Sequence, residues 1–174
     1  QVRGEGPIRL IATDWFAPAA EGESARMRAY AGFDAERLDL EADPFAQLGK
    51  GYFAVVIHQG PGTTPYQGLT PLSGGTLASC AETYFAQSEQ IATRFALASA
   101  EAATPGGRAR WRGGGVMLQH LPKAGLHVSG EGGSGEGGLM TADDVAELGG
   151  VEEDWTRVNM LLDTVETHEL LGPH

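Results

Sequence analysis

A chain of 174 residues in which 41% of the side chains are hydrophobic and 20% are charged fits one soluble globular domain with a core of its own. The formal net charge of −11 argues against nucleic-acid binding, because that affinity comes mainly from Lys and Arg neutralising phosphates. The single cysteine rules out an internal disulfide or a cysteine metal cage, and no apolar run reaches the roughly 20 residues of a membrane span.

The N-terminal part of the chain reads as strands separated by turns. Residues 1–12 predict two short strands around a Gly-Glu-Gly-Pro turn at 4–7, and alternation over residues 26–33 predicts a third strand. Residues 52–58 form a near-continuous apolar run rich in β-branched side chains, which predicts a strand buried on both faces. Residues 66–72 are expected to return as its hairpin partner.

A helix is predicted after the glycines at 74 and 75. Over residues 76–90, one stripe with a period of 3.6 residues carries Leu77, Cys80, Ala81, Tyr84, Phe85 and Ser88. We interpret Cys80 on this stripe as a small buried hydrophobe rather than a redox sensor, since a sensor requires exposure and a lowered pKa.

Two more strands are predicted at 94–98 and 116–121. Before the second of them, three arginines alternate around Trp111 and favour the solvent face of a strand: Arg108, Arg110 and Arg112.

The remainder of the chain reads as a loop and two helices. Seven glycines between 125 and 138 predict a mobile loop. A short helix is expected from Thr141 until Gly149-Gly150 stops it. The last helix is expected from Glu152 to Gly172-Pro173, with an apolar face of Trp155, Val158, Leu161, Leu162 and Val165. The whole order predicts an α+β fold, a largely antiparallel twisted sheet packed with helices.

The residues supply no constellation for catalysis. The five histidines lack metal-ligand spacing, and no Gly-x-Ser-x-Gly turn follows a predicted strand. The Gly-Pro-Gly at 60–62 lacks the Lys of a phosphate loop, and its proline removes a backbone donor. We predict no enzyme, no catalytic residue, no metal or cofactor in this chain, no nucleic-acid or membrane partner, and a cytoplasmic location.

Two adjacent segments resemble a known family. They are Tyr-Gln-Gly-Leu-Thr-Pro-Leu at 66–72 and Thr-Leu-Ala-Ser-Cys-Ala-Glu-Thr-Tyr-Phe-Ala-Gln-Ser-Glu-Gln-Ile-Ala-Thr-Arg at 76–94. They resemble the signature of the redox-regulated 33-kilodalton heat-shock chaperone family. There a Tyr-Gln-Gly strand leads to a helix ending in Tyr-Phe, then Ser-Glu-Gln, an apolar residue, usually Pro, and Thr-Arg. Ala92 stands where that Pro is usual.

Other segments are similar to the same family in order and spacing, so the resemblance covers almost the whole chain except the glycine-rich insertion. They are the turn at 4–7, Arg-Ala-Tyr-Ala at 28–31, Gly-Gly-Val-Met-Leu-Gln at 114–119 with Pro122, and Glu-Leu-Leu at 169–171. The resemblance implies a β-rich core over 1–122 that lacks its N-terminal part, a glycine-rich loop and short helix over 123–150, and over 151–174 a helix leading to a linker. The family's zinc redox domain would follow His174.

The resemblance implies an ATP-independent holdase chaperone of the stress response that binds unfolded or misfolded client proteins. In the family, four thiolates hold zinc in the reduced, inactive state, and their oxidation to disulfides releases the metal and uncovers client-binding surface. One cysteine cannot run that switch, so zinc and disulfides are expected only in the full-length protein.

Client binding would be collective, through a contiguous apolar patch. The candidate residues are Tyr52, Phe53, Val55, Ile57, Phe95, Leu97, Val116, Leu118, Trp155 and Val158. The alternative is a structural or dimerisation module, in which the same surfaces pair with a second copy in a homodimer, including a domain-swapped one.

Overall fold

The computed structural model describes residues 1–102, 109–121 and 142–172, and for residues 142–149 and 151 it describes the backbone alone. The chain divides into two compact units, residues 1–90 and residues 91–174.

The first unit is built on a five-stranded sheet in which every neighbouring pair is antiparallel. Its order is β3-β2-β1-β4-β5, which confirms the predicted strands and the hairpin between residues 52–58 and 66–72. The strands are β1 (Val2–Gly4), β2 (Ile8–Phe16), β3 (Arg26–Phe33), β4 (Gly51–Ile57) and β5 (Tyr66–Pro71).

The turn at 4–7 needs its two glycines because another segment packs directly against them. A 3₁₀ turn at Ala46–Leu48 presents its carbonyl groups to this turn, and the Gly6 amide donates to the Leu48 carbonyl at 2.9 Å. A Cβ on Gly4 would overlap that same Leu48 oxygen, and one on Gly6 would overlap the carbonyl oxygen of Gln47. The Gly-x-Gly spacing is therefore a consequence of close backbone packing.

One helix follows the sheet where the sequence predicts it. Helix α1 (Leu77–Tyr84) begins at Thr76, whose hydroxyl accepts from the Ser79 amide at 3.0 Å. It continues as a wider π-helical turn over Phe85–Glu89 and ends at Gln90, which is left-handed with φ 56°. Cys80 is 0% exposed, which confirms its predicted burial.

The prediction that 52–58 is buried on both faces is wrong. Within β4 only Ala54 is buried, whereas Val56 and Ile57 are 43% and 44% exposed. Helix α1 contacts one face of the β4–β5 hairpin at Phe53 and Gly68, whereas the Val56 side chain lies on the opposite face. An unbroken apolar run cannot distinguish a strand covered on both sides from one whose end is uncovered.

The second unit is an antiparallel hairpin of β6 (Thr93–Ala102) and β7 (Arg110–Gln119), with α2 (Ala142–Leu162) and α3 (Thr167–Leu171). Helix α3 packs on both strands. Arg110 and Arg112 are exposed on β7 as predicted, while Arg108 and the predicted glycine-rich loop at 125–138 lie outside the described residues.

The predicted division between the last two helices is wrong. Gly149 and Gly150 do not stop a helix, since α2 runs through both of them without interruption. Glycine costs only about 1 kcal/mol inside a helix and keeps its N–H, so neighbouring helical residues can override it. The break comes later, after Leu162, and α3 restarts with a capping box between Glu166 and Glu169. The last predicted helix is therefore divided between the end of α2 and α3.

Candidate functional site

The two faces of the five-stranded sheet differ in what covers them. Cross-strand pairing places Val2, Ile11 and Phe53 on one face, here called the front face. Helix α1 packs on the β4–β5 part of this front face, since the Tyr84 and Phe53 ring centroids are 6.3 Å apart. The opposite side is called the back face.

Tyr84 anchors α1 to the front face. Its side chain is 1% exposed, and its hydroxyl donates to the Glu89 carboxylate at 2.7 Å. Its ring lies where a Cβ on Gly68 would be, so the Tyr-Gln-Gly strand uses its glycine to admit this ring. Burial, and then the hydrogen bonds to Glu89 and Tyr66, raise the pKa of the Tyr84 hydroxyl.

The four candidate residues on β4 therefore differ in the face that they occupy and in how far they are buried. Phe53 and Val55 lie on the front face beside α1 and are half-buried, and Ile57 at the hairpin tip is 44% exposed. Tyr52 lies on the back face, because neighbouring side chains of a strand point to opposite sides. These four residues do not form one patch.

The β2–β3 part of the front face carries large uncovered apolar side chains. Trp15 and Met27 are directly opposite each other and are 67% and 75% exposed. Ile11, also on the front face, is half-buried closer to the centre of the sheet. Sequence reasoning missed the pair, although alternation in both strands was the available signal.

An apolar stripe runs along one face of the β6–β7 hairpin. Pairing of Phe95 with Met117, and of Leu97 with Gly115, places these side chains on the same face as Trp111. Leu97, Met117 and Trp111 are 58%, 51% and 74% exposed, and Phe95 is half-buried. The β6–β7 stripe is defined as Phe95, Leu97, Trp111 and Met117. It includes two predicted residues and two that were missed.

Val116 and Leu118 lie on the other face of the same hairpin, which carries α3. The Leu170 carbonyl of α3 lies against Gly114, and the Arg112 guanidinium donates to the Leu171 carbonyl at 3.3 Å. Val116 is 37% exposed and Leu118 is half-buried. The structure therefore separates these two candidates from Phe95 and Leu97.

The α2 candidates occupy a third position in the second unit. The Trp155 ring stacks on the His120 ring, with centroids 5.5 Å apart and an interplanar angle of 23°. Val158 is 39% exposed. One face of Trp155 therefore packs against His120, the residue that directly follows β7.

Nothing in the described part of the chain suggests a metal centre. Within residues 1–102, 109–121 and 142–172, no three His, Cys, Asp or Glu side chains converge as ligands. The four-thiolate zinc site of the resemblance does not fit these residues, since Cys80 is the single cysteine and is buried. None of the helices in the described part of the chain is long and apolar enough to cross a membrane.

Comparison with known proteins identifies relatives along the whole chain. A family model described as Hsp33 protein matches residues 1–173. The 33 kDa chaperonin of Caulobacter vibrioides is 36% identical, over 99% of this chain and 50% of the relative. That of Ectopseudomonas mendocina is 35% identical, over 99% of this chain and 46% of the relative.

A solved structure is also similar to part of the chain. It is the 33 kDa chaperonin of Thermotoga maritima, with 24% identity and a TM-score of 0.46 over 68% of this chain and 38% of that one. The chain spans about half the length of the curated relatives that it matches.

Proposed function

The chain belongs to the Hsp33 family, and from that premise we propose that it provides client-binding surface of an ATP-independent holdase chaperone. Its clients would be unfolding proteins, bound through exposed apolar side chains. The β6–β7 stripe is the observation that carries this proposal. Leu97, Met117 and Trp111 are each more than half exposed on one face of the hairpin, with Ser99 and Gly113 between Leu97 and Trp111. Exposed apolar side chains that gather on one face mark interaction sites.

The physical basis of capture is the hydrophobic effect, which is non-directional and accepts varied partners. Burying apolar surface stabilises a complex by roughly 25 cal/mol per Å², so a stripe of large side chains binds many sequences weakly. Met117 adds a flexible, polarisable side chain suited to irregular partners. The net charge of −11 supports solubility of such complexes through mutual repulsion.

Activation by thiol oxidation is proposed for the full-length protein and not for these residues. A zinc–cysteine centre would need thiols beyond these 174 residues, because they contain one cysteine. The proposal therefore assigns client binding to this chain and redox sensing to cysteines elsewhere. We also propose a cytoplasmic location, which the scarcity of cysteine supports. No catalytic role is proposed.

The 174-residue chain is expected to suppress aggregation of a heat-denatured client in the absence of nucleotide. Replacing both Leu97 and Met117 with Ser should reduce this suppression several-fold, because it removes apolar area from the centre of the stripe. Light scattering of the client at equimolar chain measures the effect. The matched control is Leu40→Ser, since Leu40 is 85% exposed but lies outside the stripe.

The double variant should keep its stability, because exposed positions usually change it by less than about 0.5 kcal/mol. Client aggregation that is unchanged by the wild-type chain would contradict the holdase proposal. Equal suppression by the wild-type chain and the double variant would show that the stripe is not the surface used.

The alternative is a structural or dimerisation module, and the same exposed stripe favours it. A second copy could cover Leu97 and Trp111 as well as a client could. Sedimentation of the same proteins separates the two functions. A tight dimer that the double variant dissociates, together with no client binding, would support the alternative.

A further inference from the structure

Strand β3 is an open edge of the five-stranded sheet. It is the terminal strand in the order β3-β2-β1-β4-β5, and no described residue pairs with its outer side. Seven of its eight residues are exposed. Natural proteins usually protect such edges, because a long uncovered strand recruits other extended chains.

Backbone hydrogen bonds between the other strands of the sheet determine which N–H and C=O groups of β3 point outward. Gln1 and Ala54 form two backbone hydrogen bonds with each other, at 2.8 and 2.7 Å, so the N–H and C=O groups of Gln1 point toward β4. Alternation then directs Val2 toward β2, where it is opposite Ile11. Ile11 accordingly faces β1, and the next residue, Ala12, faces β3.

Ala12 is opposite Tyr30, so Tyr30 directs its N–H and C=O toward β2. By alternation, Met27, Ala29 and Ala31 direct their N–H and C=O away from the sheet. These groups form a row of donors and acceptors spaced for one more strand.

Side chains on the two faces of β3 indicate which residues an added strand should carry. On the front face, Ala29 and Ala31 are small, and the exposed Trp15 and Met27 stand beside them. Large apolar side chains of an added strand could pack over the alanines and against these two residues.

The back face of β3 is basic. Arg28 is paired with Asp14 at 2.6 Å, whereas Arg26 has no acidic partner among the described residues and stands over the Phe16 ring at 6.0 Å. A carboxylate on the added strand would gain a charge-assisted contact with Arg26.

We propose that the outer edge of β3 captures an extended segment of an unfolded client as a sixth strand, preferring segments in which apolar residues alternate with Asp or Glu. This inference rests on the proposed holdase function and specifies how part of the client is held. Main-chain hydrogen bonds would supply affinity without sequence selectivity, and the alternating faces would supply the preference.

A second copy of this chain is a less suitable occupant. Antiparallel pairing of two β3 strands about residue 29, which pairs seven of the eight residues, sets Arg28 opposite Tyr30 and Arg26 opposite Gly32 of the other copy. Strand β3 contains no acidic residue, so a second β3 strand offers Arg26 no carboxylate. An acidic client segment supplies that carboxylate and is therefore the better match.

The test uses the 174-residue chain and two peptides with the eight-residue length of β3, one alternating Val with Glu and one alternating Val with Lys. The Val-Glu peptide is expected to bind more tightly by fluorescence anisotropy, despite the chain's net charge of −11. Hydrogen exchange should slow at Met27, Ala29 and Ala31 when it binds. Arg26→Glu should reverse the peptide preference.

Ala29→Pro removes an outward donor without removing a bond to β2, and the edge of a sheet tolerates proline. It should weaken Val-Glu binding about tenfold, through one lost hydrogen bond and the clash of the proline ring with an added strand. Ala29→Val keeps the N–H and is the matched control, expected to bind as the wild type does. Unchanged binding by Ala29→Pro, or tighter binding of the Val-Lys peptide by the wild type, would overturn the inference.

The two proposals fail separately. If the wild-type chain suppresses client aggregation and Ala29→Pro does so equally well, the holdase function stands and the β3 edge is excluded. If the Val-Glu peptide binds at β3 but no client aggregation is suppressed, strand capture stands without the holdase function. Dimerisation through β3, seen by sedimentation as a dimer lost in Ala29→Pro, would also overturn client capture there.

Discussion

Tyr84→Ala is expected to destabilise the first unit by about 3–5 kcal/mol, the range for removing a large buried aromatic side chain. The ring is 1% exposed and contacts Phe53 and Phe85, with centroid distances of 6.3 and 5.3 Å. Gly68 cannot fill the resulting cavity, because it has no side chain. Urea unfolding followed by circular dichroism measures the loss, and hydrogen exchange over residues 1–90 locates it.

Tyr84→Phe is the matched control, because it keeps the ring and removes only the hydroxyl bonded to Glu89. It should cost about 1 kcal/mol, since a single hydrogen bond contributes roughly that amount. Equal losses in the Ala and Phe variants would contradict the view that ring packing, rather than the hydroxyl, holds α1 on the sheet.

The same hydroxyl should make the first unit sensitive to alkaline pH. Burial, followed by the bonds to Glu89 and Tyr66, raises the pKa of Tyr84 above its ordinary value of about 10. The folded state therefore retains this proton more tightly than the unfolded state does. The stability that this difference in proton binding provides is fully present below a pH of about 10, the ordinary pKa of tyrosine. It is lost as the pH rises above that value.

Urea unfolding across that pH range should show a steeper decline for the wild type than for Tyr84→Phe. The Phe variant retains the other tyrosines, so the difference between the two slopes isolates Tyr84. Parallel declines would contradict the assigned role of this hydroxyl.

Gly114→Ala is expected to release α3 from the β6–β7 hairpin at a cost of about 2–3 kcal/mol, as for other overpacked sites. A Cβ at residue 114 would overlap the Leu170 carbonyl oxygen, and backbone cannot move aside as a flexible side chain can. Hydrogen exchange of the α3 amides measures the release, and thermal unfolding measures the loss of stability.

The neighbouring Gly113 provides a control within the same strand. Its Cβ would meet nothing closer than the Ala98 carbonyl oxygen at 3.8 Å, which is ordinary contact. Gly113→Ala should therefore change stability by less than about 0.5 kcal/mol. Similar losses at both positions would mean that strand flexibility, and not the approach of α3, explains the Gly-Gly-Gly run.

Local sequence signals located several elements of the fold and failed at the boundaries of the last helices. Turn glycines, the alternation over 26–33 and the apolar run at 52–58 located the strands of the first unit, and the stripe through Cys80 and Tyr84 located α1. Each of these signals is local, since it depends on residues a few positions apart. The failures at Gly149-Gly150 and after Leu162 concern helix boundaries, where a local propensity of about 1 kcal/mol competes with the surrounding structure.

The candidate surface depended on information that no local pattern contains. Apolar character alone groups Phe95 and Leu97 with Val116 and Leu118, but the register places the second pair on the opposite face of the hairpin. Trp111 and Met117 join the first pair for the same reason. The sequence by itself determined the five strands of the first unit, the α1 helix, the buried cysteine and the family resemblance. Which apolar side chains remain uncovered was decided only by tertiary structure, because coverage depends on pairing and on helices contributed by residues distant in the chain.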